Sequence, residues 1–271
     1  MLVEYKEKTR TRRFASRMLK PKTSGLAPKS LLSLLPKHSG RSGGKITVRH
    51  QGGRQKRYYR QVDFLRNKKD MEAKIIAFEY DPNRNVEIAL LQYKDGEKRF
   101  ILAPSGLKVG DTLISSDKAE VATGNALKLK NVPLGTTLHN VELYPGRGGV
   151  LGRSAGTAVI LQAKEGGSAH LKLPSGEIRM VSLDAYATVG VLGNEEYKNL
   201  VLGKAGRSRH MGIRPTVRGV AMDPDSHPHG GGEARSGVGR KKPMTQYGRP
   251  AVGNTRKKNK WTSKYILKRR K

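Results

Sequence analysis

The distribution of charge along this 271-residue chain is the feature that most constrains its fold. Residues 1–60 contain 17 basic and 2 acidic residues, residues 61–200 contain 18 and 17, and residues 201–271 contain 19 and 3. A nearly neutral middle therefore lies between two strongly cationic flanks. Because like charges oppose compaction, the flanks are expected to become ordered only where a polyanion neutralises them.

Nucleic acid is the partner that this charge pattern favours. An anionic membrane fits less well, because the flanks lack the bulky apolar face of an interfacial helix. No apolar run is long enough to span a bilayer, and the first residues lack the apolar region of a secretory signal. Since the chain has no cysteine, it has no disulfide, thiolate zinc site or cysteine nucleophile. We expect an intracellular protein bound to a large polyanion.

The N-terminal 44 residues mix basic residues with Pro, Gly and Ser, and are predicted to form an arm without its own core. Its one apolar patch, Leu31–Leu35, is predicted to dock as a single helical turn. Alternation typical of a strand begins at Lys45, with Ile46 and Val48 on one face.

The middle of the chain is predicted to be all-β. In its first part, strands are expected over residues 73–80, 86–93, 97–102 and 111–114. Asp95-Gly96 indicates a hairpin with a type I′ turn, which needs positive φ at both central residues. Short strands at this spacing, separated by Gly and Pro turns, favour a small closed barrel.

A second β unit follows Pro133, with a turn at Gly166-Gly167. Its strands are expected over residues 137–143, 157–163, 169–173, 177–183 and 187–191. Units of about 60–70 residues are only marginally stable alone, so a bound partner would help both. From about Gly203 the apolar periodicity stops, and the glycine-rich C-terminal segment is expected to be disordered when free.

Two short matches resemble hydrolase motifs but have the wrong context. Gly152–Gly156 fits G-x-S-x-G around Ser154, and His229–Gly232 fits an esterase oxyanion loop. A nucleophile elbow needs a helix after the serine, whereas a β-type run follows Ser154. Gly40–Gly44 matches the same pattern, so such matches are common in this glycine-rich chain. A hydrolase is therefore kept only as a minor alternative.

The segment around Pro228 raises the question of a metal site, because His227 and His229 flank it and acidic residues lie nearby. Structural zinc sites usually have four ligands and often include cysteine. A nucleic-acid-contacting loop, with histidines that donate hydrogen bonds or stack on bases, explains the segment better. General acid–base catalysis by a histidine is chemically conceivable, but the sequence supplies no positioned nucleophile. We assign no metal ligand and no catalytic residue.

Basic and aromatic residues alternate in the flanks, as expected for RNA contact. The segment Arg54–Arg60 interleaves four basic residues with Tyr58 and Tyr59, which suits phosphate contact combined with stacking. In the C-terminal tail, Trp261 and Tyr265 lie among nine basic residues between positions 256 and 271. Such contacts give affinity through release of counterions and carry little sequence information.

Longer motifs are far more specific than the hydrolase matches. The stretch Arg214–Met222, followed by Pro224 and His227–Glu233, resembles the signature of the universal large-subunit ribosomal protein L2 family. The resemblance runs almost from end to end and includes further segments: Arg49-His50, Gly52-Gly53, Tyr59–Phe64, Glu79–Arg84, Lys94–Glu97, Ile101–Pro104, His139–Glu142, Arg153–Thr157 and Leu202–Gly206.

The resemblance implies a mainly β protein with four parts. These are a basic N-terminal arm over residues 1–44, an OB-fold RNA-binding barrel over 45–125, an SH3-like barrel over 126–202 and a glycine-rich basic extension over 203–271. It implies a structural constituent of the large ribosomal subunit and a primary rRNA-binding protein. It also implies support of subunit association, assembly, tRNA binding and the peptidyl transferase centre. In this family the first histidine of the motif, here His227, is implicated in peptidyl transfer, which we interpret as support of RNA architecture.

The chain departs from the family motif around the histidines. Asp223 stands where the family has Asn, Asp225-Ser226 where it has Val-Asp, and Ala234 where it has Gly. A carboxylate in place of an amide beside phosphates is expected to require a cation or a nearby arginine. The move of the acid to Asp225 also changes its pairing with His227.

The predicted RNA contacts are basic, aromatic and loop residues: Arg49, His50, Arg54, Lys56, Arg57, Tyr59, Arg60, Arg147, Arg153, Arg214, Arg218, Ser226, His227, His229, Gly230, Gly231, Gly232, Lys257, Lys258 and Trp261. The expected partners are large-subunit rRNA, other ribosomal proteins, the small subunit across the intersubunit face and nearby tRNA, with no membrane. No cofactor is expected, and structural magnesium at the RNA interface is left open. The expected location is the cytoplasmic large subunit of bacterial type, with an organelle ribosome as the alternative.

Two other classes of function stay open from the sequence. A hydrolase or peptidyl-transfer enzyme would use Ser154 or His227. A free nucleic-acid-packaging protein would bind DNA and folded rRNA with similar affinity. Because the arms are predicted to lack a core, removal of residues 1–44 or 240–271 is expected to weaken RNA binding without unfolding the barrels.

Overall fold

The structure is a computed structural model that describes residues 2–5, 9–10, 12–21, 25, 27–233, 235–253, 256–257 and 259–270. The predicted contact Lys258 and the departure at Ala234 lie outside the described residues. Tertiary contacts divide the chain into two compact units. Unit 1 comprises Met1–Lys37, Lys56–Arg207 and Lys264–Lys271, and unit 2 comprises His38–Gln55 and Ser208–Ser263.

Short antiparallel strands dominate the described part of the chain, which confirms the mainly β prediction. In chain order they are β1 (Leu2–Glu4), β2 (Ser16–Met18), β3 (Leu32–Leu34), β4 (Arg41–Ser42), β5 (Lys45–Ile46), β6 (Tyr58–Arg60), β7 (Ala73–Glu79), β8 (Ile88–Tyr93), β9 (Lys98–Leu102), β10 (Thr112–Leu113), β11 (Ala126–Lys128), β12 (Thr137–His139), β13 (Val141–Glu142), β14 (Gly149–Leu151), β15 (Val159–Glu165), β16 (Ser168–Lys172), β17 (Ile178–Ser182), β18 (Tyr186–Val189) and β19 (Ile266–Lys268). The helical segments are α1 (Ala205–His210) and 3-10 turns at Lys29–Leu31, Leu129–Asn131, Glu195–Asn199, Gly219–Ala221 and Trp261–Tyr265. Among the described helices, none has the length and apolar character needed to cross a bilayer.

The first sheet of unit 1 has the strand order β10-β7-β8-β9. Strand β7 alternates buried with more exposed residues, as a period of two requires, and its inward side chains pack with those of β8 and β9. The central strand β8 is buried on both faces over most of its length, and Ala27 and Leu31 of the N-terminal segment pack against the cluster of Ile88, Leu90 and Phe100. The apolar patch near Leu31 therefore docks on the barrel, although its helical turn lies at Lys29–Leu31 and the following residues form β3.

The hairpin between β8 and β9 has a different turn from the one predicted. Gly96 has φ of 87°, whereas Asp95 is not left-handed. Tyr93 N donates to Glu97 O at 2.9 Å and Gly96 N donates to Tyr93 O at 2.9 Å, which defines a three-residue loop that ends in a left-handed glycine. Both central residues have positive φ instead at Gly166-Gly167, which joins β15 to β16 with φ values of 52° and 75°.

The second sheet of unit 1 has the order β11-β18-β12-β15-β16-β17-β19 and curls around a core that includes Leu138, Leu161 and Leu171. Its last strand, β19, comes from the basic C-terminal tail and pairs with β17, with Ile178 opposite Lys268. Parts of both flanks thus belong to the sheets of unit 1, which the sequence did not predict. Barrel-like curled sheets agree with the OB-fold and SH3-like expectations.

A histidine lies inside this second core. The side chain of His139 is buried, and its Nδ1–H donates to the carbonyl oxygen of Gly190 at 2.9 Å. Loss of solvent on burial lowers the pKa of His139 from 6.5 to about 4. The unfolded chain therefore binds a proton at a higher pH than the folded chain does, so this residue makes the fold lose stability as the pH falls from about 6.5 to about 4.

The variant His139→Gln should be less stable than the wild type at pH 7 and should lose less stability between pH 7 and pH 4. The histidine is expected to contribute a loss of about 3 kcal/mol over that range, because each unit of pKa shift corresponds to about 1.4 kcal/mol. Urea unfolding at several pH values measures this change in the free energy of unfolding. The variant His170→Gln, at a partly exposed histidine, is the control. Parallel pH profiles for wild type and His139→Gln would contradict the assignment.

Candidate nucleic-acid interface

Asp81 organises the basic residues beside β6. Its side chain is fully buried, and Oδ1 accepts hydrogen bonds from the backbone N of Asn83 at 2.9 Å and from Nδ2 of Asn83 at 3.0 Å. Its Oδ2 pairs with the guanidinium of Arg84, and Nη1 of Arg60 lies 4.0 Å from Oδ1. One carboxylate thus orients two guanidinium groups, and the turn keeps a net positive charge.

Further contacts attach β6 to the same turn. Nδ2 of Asn83 donates to the carbonyl oxygen of Tyr58 at 2.7 Å, and Nη1 of Arg57 donates to that of Pro82 at 3.0 Å. Arg60 also donates to Tyr58 O at 3.3 Å. The predicted contacts Arg57 and Arg60 are therefore half-buried and held in place, whereas Lys56 is exposed.

The ring of Phe64 lies near two guanidinium groups. Cζ of Arg153 is 4.7 Å and Cζ of Arg84 is 5.4 Å from its centroid, and Arg84 also lies 5.7 Å from the ring of Tyr59. We call Tyr59, Phe64, Arg84 and Arg153 the Phe64 cluster. The Phe64 carbonyl accepts a hydrogen bond from Gly149 N at 2.9 Å, which joins the first barrel to β14 and brings Arg153 within reach. Aromatic rings and guanidinium planes are the groups on which unpaired bases stack.

The loop Tyr144–Gly148 carries the predicted contact Arg147. It is held by the buried carboxylate of Glu142, which accepts hydrogen bonds from two glycine amides of the loop at 2.9 and 3.1 Å and from the amide of Tyr186 at 3.0 Å. Arg147 is exposed, with Cζ 5.7 Å from the ring of Tyr144. Glu142 therefore positions an exposed arginine beside an aromatic ring.

In unit 2, a segment of the first cationic flank pairs with a segment of the second. Gly52 N donates to Gly212 O at 2.7 Å, Gln55 N donates to His210 O at 3.0 Å, and Arg214 N donates to the carbonyl of His50 at 3.0 Å. We call residues 50–55 and 210–214 the paired basic segments. Predicted contacts that lie far apart in the sequence are thus brought together.

Glycine permits this close approach. A Cβ on Gly212, where φ is +93°, would lie 3.0 Å from Arg54 Cβ and 3.3 Å from Gly52 O. A Cβ on Gly52 would lie 3.1 Å from Cγ of Arg214 and 3.4 Å from Nη1 of Arg209. Without side chains at these two positions, several arginine side chains pack over the same backbone.

The histidine motif forms a tightly hydrogen-bonded loop in unit 2. A Cβ on Gly219 would lie 2.5 to 2.7 Å from ring atoms of His227, so the imidazole packs directly on that glycine. A Cβ on Gly230 would lie 2.1 Å from the carbonyl oxygen of Asp223. Gly231 N donates to Met222 O at 3.0 Å. The glycines of this motif are therefore needed for packing of the loop on itself.

Both imidazoles of the motif accept hydrogen bonds from backbone amides. The amide of His229 donates to Nδ1 of His227 at 3.0 Å, and the amide of Met244 donates to Nε2 of His229 at 2.9 Å. The ring centroids lie 4.8 Å apart at an interplanar angle of 55°. Since an acceptor nitrogen carries no proton, His227 is protonated at Nε2 and His229 at Nδ1 in this arrangement.

At the first acid that departs from the family motif, Asp223, the backbone carbonyl oxygen shapes the loop. The carbonyl oxygen of Asp223 accepts hydrogen bonds from Ser226 N at 3.0 Å and from His227 N at 3.2 Å. Within the described residues, neither Asp223 nor Asp225 forms an ion pair, and Asp225 does not bond to His227. Both residues are exposed. The expected arginine partner is therefore not supplied by the described part of this chain.

The remaining predicted contacts are mostly exposed. Arg49 donates to Oε1 of Gln246 at 2.5 Å, and Arg54 is half-buried. Trp261 is 63% exposed, which is high for the largest side chain and leaves its ring accessible for stacking. The other exposed positions are Arg214, Arg218, Ser226, Gly232 and Lys257.

The hydrolase-like match has no elbow geometry. Ser154 lies in the turn between β14 and β15, where its carbonyl oxygen accepts hydrogen bonds from Thr157 N at 3.2 Å and Thr157 Oγ1 at 2.7 Å. The strand β15 follows, rather than a helix. Within the described residues, no three His, Asp or Glu side chains are grouped as metal ligands.

Basic and aromatic side chains held on curled β-sheets define a mainly β nucleic-acid-binding protein. Residues 28–115 match the family model for the RNA-binding N-terminal domain of ribosomal proteins L2, and residues 122–248 match the model for their C-terminal domain. Together the two matches cover most of the chain, which belongs to the ribosomal protein L2 family. It is therefore a structural protein of the large ribosomal subunit that binds rRNA.

Three residues of the interface were missed as site residues in the sequence. Arg84 and Phe64 lie in segments that resemble the family, but only the tertiary contact with Arg153 shows that they form one cluster. From the sequence alone, Glu142 is indistinguishable from any other acidic residue in a predicted strand. The loop glycines at positions 146 and 148, shortly after it, supply two of the amides that its carboxylate accepts.

The variant Glu142→Gln should loosen the Arg147 loop. The amide keeps one acceptor oxygen but turns an NH2 donor toward backbone N–H groups, and loss of hydrogen bonds to a charged group costs about 1.5–3 kcal/mol. We expect faster amide exchange at Gly146 and Gly148, and a loss of rRNA affinity similar to that of Arg147→Gln.

The exposed Glu165→Gln makes the same change of charge and serves as the control. Unchanged exchange at the two glycines in Glu142→Gln would show that the carboxylate does not order the loop.

Proposed function

We propose that this chain holds large-subunit rRNA through two sets of contacts, one on each unit. In unit 1 the contacts are the Phe64 cluster, Arg147, and Lys56, Arg57 and Arg60 in and before β6. In unit 2 they are the paired basic segments, Arg218 and the loop Ser226–Gly232. The observation that carries this proposal is that guanidinium groups are fixed in position with fewer carboxylates than cations around them. Phosphates are the anions that would complete such a surface.

The proposed role includes support of subunit association, tRNA binding and the peptidyl transferase centre. Its partners would then include other ribosomal proteins, the small subunit and tRNA. We place the protein in cytoplasmic ribosomes, with an organelle ribosome as the alternative. Lys257 and Trp261 in the tail would add phosphate contact and stacking, and structural magnesium would belong to the rRNA.

The protein is proposed to catalyse no reaction. The acceptor nitrogens of His227 and His229 are occupied by backbone amides, so each ring holds the loop in shape. A general base must instead present its acceptor nitrogen to the substrate. Both histidines are therefore assigned a structural role.

Binding to an rRNA fragment should weaken steeply with salt. The slope of log K against log salt is expected to be about −0.7 to −0.9 per phosphate contact, so Arg153→Gln should reduce it by about one contact. Phe64→Leu, which keeps an apolar side chain but removes the ring, should lower the affinity and leave the slope unchanged.

Lys172→Gln, an exposed residue of β16 outside the proposed surface, is the control and should change neither quantity. A flat salt dependence of the wild type would exclude phosphate-dominated binding.

The variant His227→Gln separates a structural from a catalytic role in reconstituted large subunits. If the role is structural, peptidyl-transfer activity should fall only in proportion to the fraction of subunits that fail to assemble. Fully assembled His227→Gln particles should then keep the wild-type rate of peptidyl transfer. Gly219→Ala should show the same relation between activity and assembly, because its Cβ would displace the imidazole of His227 without removing it. A fall of about 100-fold or more in the rate of fully assembled His227→Gln particles would instead indicate acid–base catalysis.

A further inference from the structure

Unit 2 contains a small pocket outside the histidine loop. It has a volume of about 190 Å³ and lies between the segment Ser39–Gln51 and the residues Arg214-Pro215. This volume is below the range of about 300–1,000 Å³ for sites of drug-sized ligands. It is close to the cavity of about 150 Å³ that accepts one benzene molecule. The pocket therefore has room for one planar ring system.

The wall of the pocket is the hairpin of β4 and β5, and Gly40 at its open end holds the two segments together. The carbonyl oxygen of Gly40 accepts hydrogen bonds from Thr47 N at 2.9 Å, Val48 N at 3.0 Å and Thr47 Oγ1 at 3.1 Å. A Cβ on Gly40 would lie 2.3 Å from Val48 O, so no other residue fits there. The hairpin presents Ile46 and Val48, which are 63% and 55% exposed. Two apolar side chains are thus held on the surface of a cationic segment.

The backbone beyond the hairpin is held in a conformation that few residues adopt. His50 has φ of 59°, in the left-handed region, and its carbonyl accepts the hydrogen bond from Arg214 N. A non-glycine residue in this region is strained and persists where its surroundings hold it. This conformation brings Arg214 to the pocket that Val48 lines.

The charge around the pocket is entirely positive. Arg41, Arg49 and Arg214 line it, and the acids of unit 2, which are Asp223, Asp225 and Glu233, do not. Within the described residues no carboxylate pairs with any of these three arginines. The pocket thus combines an apolar surface for a flat ring with guanidinium groups for an anion.

We propose that this pocket binds one unpaired nucleotide of an RNA strand, with the base against Ile46 and Val48 and the adjacent phosphates on Arg41 and Arg214. The inference rests on rRNA binding and adds a defined subsite to it. Paired bases cannot enter, because both of their faces are stacked and their edges are hydrogen-bonded. The pocket would therefore prefer a bulged or looped nucleotide. The phosphate contacts elsewhere on the protein do not distinguish an unpaired nucleotide from a paired one.

The test compares two RNA hairpins that differ by one bulged adenosine in the stem, with the full chain at one salt concentration. Apolar contact of one base with Ile46 and Val48, together with phosphate contact by Arg214, should make the bulged hairpin bind on the order of tenfold more tightly. Val48→Ser and Arg214→Gln should each bring the two affinities close together.

Matched controls are available in the same unit. Val217→Ser removes an apolar side chain that is 56% exposed outside the pocket and should preserve the preference. Arg240→Gln, also exposed and outside the pocket, should weaken binding of both hairpins equally. Equal binding of the two hairpins by the wild type, or a preference that survives in either pocket variant, would overturn the proposal and leave rRNA binding intact. Binding of neither hairpin would contradict RNA binding itself.

Discussion

Repulsion among arginine and lysine side chains is the constraint on which the rest of this structure depends. With 54 basic and 22 acidic residues, most cations have no carboxylate to pair with. The neutral middle of the chain uses buried acids as anchors: Asp81 orients Arg60 and Arg84, and Glu142 gathers three amides that shape the loop of Arg147. A few carboxylates thus fix many donors, and the unpaired charge is left on the surface, where a polyanion neutralises it.

The same constraint explains the use of glycine in unit 2. Backbone pairing of residues 50–55 with 210–214 brings Arg54, Arg209 and Arg214 close together around Gly52 and Gly212. Glycine removes the steric barrier to this approach but not the electrostatic one. The hydrogen bonds across the paired basic segments should therefore be weak in the free protein and become stable when phosphates lie between the guanidinium groups.

Local patterns in the sequence predicted the local features of the fold. The strand predicted over residues 73–80 is β7, and Gly166-Gly167 predicted a tight turn, because both signals depend on neighbouring residues. Strand β19 was not predictable, since Ile266–Lys268 lies in a basic tail and becomes a strand only because the edge of β17 is open to it. The family motif drew attention to His227, whereas the Phe64 cluster depends on tertiary contacts that no local pattern contains.

Amide hydrogen exchange of the full chain, free and within the large subunit, measures whether the paired basic segments are stable without a polyanion. We expect slow exchange in β8 and β15 in both states, because both strands lie in buried cores. The amides of Gly52, Gln55 and Arg214 should exchange rapidly in the free protein and slowly in the subunit. Equally slow exchange of these three amides in both states would contradict this expectation, since the paired basic segments would then be stable without a polyanion.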